Sequence, residues 1–105
     1  MYVSNTLRDN FDKRADKVLQ LIKDAGFSYN AIGVFGSYAR GQYKTDSDID
    51  FCVIVPARPA RNITGPLRDD ADELGAEIVF VTQDYFDSDV SHFASNLRRD
   101  FRRLA

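Results

Sequence analysis

A chain of 105 residues, of which 44% are hydrophobic, is long enough for one folded domain. Its net charge of −2 and its pI near 5.2 argue against general nucleic-acid binding, which requires a strongly basic surface. No apolar run has the length of a membrane span, and the first residues lack the pattern of a signal peptide. Since Cys52 is the single cysteine, no internal disulfide can form, and we expect a cytoplasmic protein.

The first half of the chain is predicted to alternate helices and strands. Apolar residues at helical spacing predict the first helix, with Asn5 or Thr6 as its N-cap and Gly26 as its C-terminal stop. The predicted elements are, in order, a helix over 5–25, a strand over 31–36, a short helix over 37–43 and a strand over 48–55.

The second half is predicted to contain two more helices and one more strand. Gly65-Pro66 is typical of a helix start, because proline suits the first helical position. Ser88 or Asp89 would cap the last helix, whose apolar residues recur at helical spacing. The predicted elements are a helix from Gly65 to Gly75, a strand over 76–82 and a helix over 89–104.

The candidate metal-binding and phosphate-binding residues are concentrated in the stretch from Gly36 to Asp50. Asp48 and Asp50 should point to the same face of a strand, where two carboxylates repel each other unless a cation lies between them. Mg²⁺ binds oxygen ligands of this kind and often keeps substrate phosphates as its other ligands. Gly36-Ser37 lies where a strand gives way to a helix, whose free N–H groups can bind phosphate. Together these features indicate nucleotide chemistry.

The same reasoning predicts the topology of the sheet. If Ser37 meets Asp48, the first two strands are antiparallel, and their connection of about 11 residues is short for a parallel crossover. About 20 residues containing a helix join the second and third strands, which is enough for a parallel crossover. Glu77 would then lie beside Asp48 and Asp50. We therefore predict an α/β fold with a mixed three-stranded sheet and helices mainly on one face.

These residues also carry a resemblance to a known family. Gly36-Ser37, ten residues and then Asp48-Ile49-Asp50 resemble the GS-x10-DxD signature of the DNA polymerase β-like nucleotidyltransferases. Ala39-Arg40-Gly41 and Ser47 look like the minimal nucleotidyltransferase (MNT) branch. The resemblance implies the polymerase β-like fold and a single MNT domain over residues 1–105.

The family resemblance also implies a reaction. It is the Mg²⁺-dependent transfer of a nucleoside monophosphate, AMP from ATP in the first instance, to a hydroxyl group with release of pyrophosphate. Asp48 and Asp50 would hold two Mg²⁺ ions, and Glu77 would be the third carboxylate and the base, although this position is more often Asp in the family. The nucleotide would be bound by Gly36, Ser37 and Ser47. Asp84 is the alternative third acid.

The acceptor of the nucleotide is left open. Free-standing domains of this size resemble MNT antitoxins, which are paired with HEPN-type ribonuclease toxins and can adenylylate a toxin tyrosine. The same resemblance leaves two alternatives, an antitoxin that acts by binding alone and a transferase for a small hydroxylated molecule such as an aminoglycoside.

Several other residues have two readings. Arg40 either contacts phosphate or pairs with a neighbouring carboxylate. His92 and Cys52 are expected to be structural, the latter as a small buried side chain. The four arginines between Arg98 and Arg103 form either a solvated helix face or a docking site for a partner.

Overall fold

The fold is described for residues 4–105, from a computed structural model. Its elements are α1 (Asn5–Asp24), β1 (Ala31–Phe35), α2 (Gly36–Arg40), β2 (Ile49–Val55), α3 (Arg61–Glu73), β3 (Ala76–Thr82), α4 (Gln83–Phe86), α5 (His92–Asp100) and β4 (Arg102–Arg103). Among these described residues, no helix combines the length and the apolar composition that crossing a bilayer requires.

The four strands form one mixed sheet in the order β3-β2-β1-β4. As predicted, β1 is antiparallel to β2, and β2 is parallel to β3. The predicted α/β class is thus confirmed, but the sheet has four strands rather than three. The extra strand is β4, which pairs antiparallel with β1.

Helices cover both faces of the sheet, whereas the prediction placed them mainly on one face. The long helices α1 and α3 pack on one face through side chains such as Phe11, Val18 and Leu67. The short helices α4 and α5 pack on the other face, where Leu97 meets Cys52 and the strand residues around it. Because β2 is enclosed from both sides, it is apolar at nearly every position instead of alternating.

The starts of two helices differ from the prediction. Ser4, rather than Asn5 or Thr6, caps α1, because its hydroxyl oxygen accepts a hydrogen bond from the Leu7 N–H at 3.2 Å. Helix α3 begins at Arg61, so Pro66 lies inside it and not at its first position. Pro66 lacks a backbone donor and its ring crowds the carbonyl four residues earlier, yet the apolar side of α3 still packs on the sheet.

The C-terminal helix is shorter than predicted. It begins after Ser91, whose hydroxyl oxygen accepts from the Ala94 N–H, so neither Ser88 nor Asp89 is the cap. It ends at Phe101, where the backbone becomes extended and the ring fills the space above Gly33. A Cβ on Gly33 would lie 2.5 Å from that ring. Because of this contact, the residues after α5 pair with the sheet instead of continuing the helix to residue 104, as the helical spacing predicted.

Candidate active site

The sheet register brings together the segments that carry the predicted site. Asp50 on β2 lies opposite Phe35, the last residue of β1, and beside Glu77 on β3. Gly36 follows Phe35 directly and begins α2. Asp48 precedes the first residue of β2 by one position. The predicted acids and the predicted phosphate loop therefore meet at one end of the sheet.

Gly36 is required by both its conformation and its neighbour. Its φ of 73° is a left-handed value that side chains rarely adopt. A Cβ at this position would also lie 2.6 Å from the Asp50 Oδ2 atom. The backbone of the loop can approach the carboxylate only because the residue has no side chain.

Asp50 is the acid of the site whose pKa is shifted most. The side chain is half-buried, and this burial, followed by the nearby charges of Glu77 and Asp48, raises its pKa to about 6. Arg40 acts in the opposite direction but does not offset these effects. A carboxyl group with this environment gains from a cation that would offset the repulsion.

The three predicted metal ligands share an end of the sheet without forming a closed cluster. Asp48 and Glu77 are exposed, and β3 is an edge strand. Within residues 4–105, no three His, Cys, Asp or Glu side chains are already arranged around a common point for a metal ion. Asp84 lies on α4, beyond the opposite end of β3, and is not brought to this site.

The two serines of the predicted nucleotide site differ in their contacts. Ser37 lies in the first turn of α2, which has no side-chain cap, so the first N–H groups of the helix are free for a ligand. The Ser47 hydroxyl oxygen accepts a hydrogen bond from the Lys44 N–H at 2.8 Å. Ser47 thus holds the turn before β2, with its hydroxyl proton still available to donate.

Arg40 pairs with a carboxylate that the sequence did not reveal. Its Nη1 atom lies 2.7 Å from Asp100 Oδ2, and the Arg99 Nε atom lies 3.2 Å from the other oxygen of Asp100. These hydrogen bonds, with that of Arg99 first, lower the pKa of Asp100. No spacing signal could have identified this link, because it joins α2 to the end of α5.

The remaining candidates have structural positions. His92 is exposed at the start of α5, and Cys52 is a buried free cysteine whose thiol pKa is raised to about 12 by burial. The arginines do not form one helix face. Arg98, on α5, donates hydrogen bonds to the carbonyls of Phe86 and Ser88. Arg102, on β4, lies over the ring of Tyr38.

A family model described as nucleotidyltransferase domain matches residues 11–103. The chain belongs to this family. The resemblance carried by Gly36-Ser37 and Asp48-Ile49-Asp50 is thereby confirmed at the level of the family. No curated protein matches the chain.

Solved structures share the fold of this nucleotidyltransferase domain. A toxin–antitoxin structure with AMP-PNP has a TM-score of 0.64 at 22% identity, covering 86% of this chain and 71% of that one. A complex of the tri-AMPylated Shewanella oneidensis HEPN toxin with an MNT antitoxin has a TM-score of 0.60 at 18% identity, covering 90% and 71%. A minimal nucleotidyltransferase has a TM-score of 0.63 at 23% identity, covering 92% and 95%.

Proposed function

We propose that this domain transfers AMP from ATP to a hydroxyl group of a partner protein, as the antitoxin of a toxin–antitoxin pair. The observation that carries the proposal is the position of Asp50, between the Gly36 loop and the carboxylates of Asp48 and Glu77. The structures with the same fold support it, since one contains AMP-PNP and another an AMPylated HEPN toxin. We place the reaction in the cytoplasm, with which the free thiol of Cys52 agrees.

The donor set fits Mg²⁺. Asp48, Asp50 and Glu77 supply only carboxylate oxygens, which this ion prefers, and the burial and nearby negative charges that raise the pKa of Asp50 support a cation at this position. These three residues would hold the metal. When bound, Mg²⁺ would offset negative charge on the phosphates and on the attacking oxygen.

The chain itself would position the nucleotide and move the proton. The free N–H groups at the start of α2, with the Ser37 hydroxyl, would bind the phosphates that leave as pyrophosphate. Gly36 lets these phosphates approach the backbone, and Ser47 would donate its hydroxyl proton to the nucleotide. Glu77 would accept the proton of the acceptor hydroxyl while the hydroxyl oxygen forms a bond to the α-phosphorus. The bond between the α-phosphorus and the pyrophosphate oxygen would break in the same step.

A second candidate is an antitoxin that acts by binding alone. Two observations favour it. Glu77 is exposed, and within residues 4–105 the side chains of Asp48, Asp50 and Glu77 are not arranged around one point. In that case the domain would bind its partner without modifying it.

One experiment separates the two candidates. The purified domain is incubated with Mg²⁺, a candidate partner such as a small helical protein encoded by a neighbouring gene, and ATP labelled at either the α- or the γ-phosphate. Transfer predicts that only the α-label becomes attached to the partner. A stable complex without attached label, under conditions in which ATP binds, would establish the binding-only antitoxin.

Glu77 provides the sharper variant. Glu77→Gln should retain ATP binding but reduce transfer by about 10²–10⁴-fold, the usual effect of losing a general base. Glu77→Asp should retain part of the activity, and Glu73→Gln, on the exposed end of α3, is the matched control. Unchanged transfer by Glu77→Gln would remove Glu77 from the mechanism.

A further inference from the structure

A groove follows the outer edge of β3, next to the proposed site. It consists of three neighbouring cavities of about 350, 360 and 310 Å³, all of which are lined by Arg68. Glu77 lines the first cavity, so the groove begins at the catalytic end of the sheet. Because β3 is the terminal strand of the sheet in the described chain, no further strand covers this edge. We call this surface the β3 groove.

The end of the β3 groove away from Glu77 is basic. Arg58 and Arg61 line it, together with Arg68, which lines all three cavities, and none of these three arginines forms a salt bridge with residues 4–105. Arg68 is held in place, since its Nε donates to the Ile78 carbonyl at 3.3 Å and its guanidinium lies 5.0 Å from the centre of the Phe80 ring. The groove therefore presents positive charge that forms no salt bridge within residues 4–105, and one of its arginines, Arg68, is held in place.

The other end of the β3 groove is acidic, and its middle is apolar. Asp69 and Asp72 accompany Glu77 in the first cavity, so three carboxylates outnumber the one arginine there, Arg68. Phe93, which is 44% exposed, and the half-buried Val79 line the second cavity. A ligand for this surface needs negative charge at one end, an apolar group in the middle and no negative charge beside Glu77.

We propose that the β3 groove binds an extended acidic peptide segment of the protein that supplies the acceptor hydroxyl. The inference rests on the proposed transfer, which it deepens by naming the chemistry of the acceptor. Glu77 and Val81 are four residues apart on β3, or about 13 Å at the rise of a strand. The peptide therefore carries its acidic residues about four positions from the hydroxyl residue, with an apolar side chain between them for Phe93.

A peptide fits this surface better than RNA. The phosphates of a single strand would run from the arginines onto the carboxylates of Asp69, Asp72 and Glu77, where like charges repel. A peptide can end its acidic stretch before that point. The net charge of −2 also favours a short, local basic surface over a general nucleic-acid site.

Fluorescence anisotropy without ATP tests the binding directly. The probe is a labelled peptide of about ten residues with one tyrosine, a leucine and three glutamates that begin about four positions from the tyrosine. Arg58→Glu with Arg61→Glu should weaken binding at least about tenfold through charge repulsion. The matched control, Lys13→Glu with Lys17→Glu, makes the same charge change on exposed positions of α1 and should alter binding less than about twofold.

The outcomes decide between the possibilities. Equal losses in both double variants, or equal binding of a peptide with lysines in place of the glutamates, would overturn the proposal. So would tighter binding of a single-stranded RNA of similar length that depends on Arg58 and Arg61. Peptide binding that depends on the arginines, without AMP transfer to any protein, would support the groove while the proposed function fails. Transfer to a partner that is unaffected by the Arg58 and Arg61 variants would overturn the groove alone.

Discussion

At the scale of the residue, the contact between Gly36 and Asp50 organises the site. The carboxylate lies so close to the glycine that a methyl group cannot fit between them, and it is also half-buried beside two other acids. The free protein therefore keeps a carboxyl group in an unfavourable environment. This cost is expected at a site whose ligand contributes the missing positive charge.

Asp50→Asn should make stability less dependent on pH. The folded-state pKa of about 6 lies above the ordinary value of 3.8, so the native state holds the proton more tightly and loses stability as pH rises from about 4 to 6. In EDTA at pH 7, the variant should be more stable than the wild type by on the order of 1 kcal/mol, allowing for partial solvent exposure.

Urea unfolding between pH 4 and pH 8 measures this effect. Asp16→Asn on the exposed side of α1 is the control and should leave the pH dependence unchanged. Mg²⁺ should stabilise the wild type more than Asp50→Asn. If the wild type loses no stability relative to Asp50→Asn between pH 4 and pH 6, the assigned direction of the pKa shift is wrong.

Gly36→Ala should combine two costs that Gly41→Ala separates. Both glycines have a left-handed φ, 73° and 70°, so each alanine pays about 1–2 kcal/mol in backbone strain. Gly41 has no atom within 4 Å of an added Cβ, whereas the Cβ at Gly36 would meet Asp50. Only Gly36→Ala should therefore also displace the carboxylate and weaken Mg²⁺-dependent ATP binding, by at least about tenfold.

A double-mutant cycle identifies the source of the extra cost. In an Asp50→Ala background the obstructing carboxylate is absent, so Gly36→Ala should lose no more stability than Gly41→Ala. Denaturant unfolding is the readout, since Asp50→Ala itself removes a proposed metal ligand and with it the response to ATP. If Gly36→Ala remains the more damaging change in that background, the contact with Asp50 is not the reason for the glycine.

At the scale of the element, local patterns predicted the parts of the fold that local chemistry controls. Strands β1, β2 and β3 and their pairing followed from apolar runs and connection lengths. The end of α5 did not, because the helical spacing of Phe101 and Leu104 continues beyond it. What ends the helix is the space above Gly33, a long-range contact that no local pattern contains.

The candidate site also contains residues that the local sequence identifies and one residue that only long-range packing reveals. Gly36, Asp48 and Asp50 were identified from one short stretch of sequence, and the register of β3 placed Glu77 next to Asp50 as predicted. Asp100 was missed because its link to Arg40 depends on the packing of α5 against α2. The roles assigned to these residues remain predictions that the variants must test.

Phe101→Ala should release the last strand from the sheet. The ring packs above Gly33 and lies 5.2 Å from the centre of the Phe86 ring, so its loss should cost about 2–3 kcal/mol for a half-buried aromatic side chain. Leu104→Ala is the control, since that side chain is 37% exposed and should cost less than about 1 kcal/mol.

Hydrogen exchange locates the effect. The Leu104 N–H donates to the Ile32 carbonyl at 2.8 Å, and this hydrogen bond should open more often in Phe101→Ala. The amides of α1 should follow only the change in global stability. Equal losses of stability in the Phe101 and Leu104 variants would show that the ring does not anchor β4.

At the scale of the whole molecule, one sheet joins two apolar layers. The side chains of α1 and α3 pack on one face, and α4 and α5 close the other. Cys52 lies in the second layer, fully buried, two residues after Asp50 on the same strand. Because both layers depend on β2, opening either one should disrupt the other, and we expect a single cooperative unfolding transition.

The Cys52 thiol should therefore report both global opening and ligand binding. Burial raises its pKa to about 12, so in the native state it is both shielded and protonated, and a thiol reagent should reach it only after unfolding. A ligand that binds the native state alone lowers the open population, so Mg²⁺-ATP at ten times its Kd should slow labelling about elevenfold. The control is Asp48→Asn with Asp50→Asn, which removes two repelling charges and should fold at least as stably while losing this protection. ADP, Mg²⁺ alone and ATP with EDTA separate the contributions of the metal and the phosphates. If Mg²⁺-ATP slows labelling equally in the wild type and in the double variant, nucleotide binds elsewhere and the site assigned to Asp48 and Asp50 is wrong.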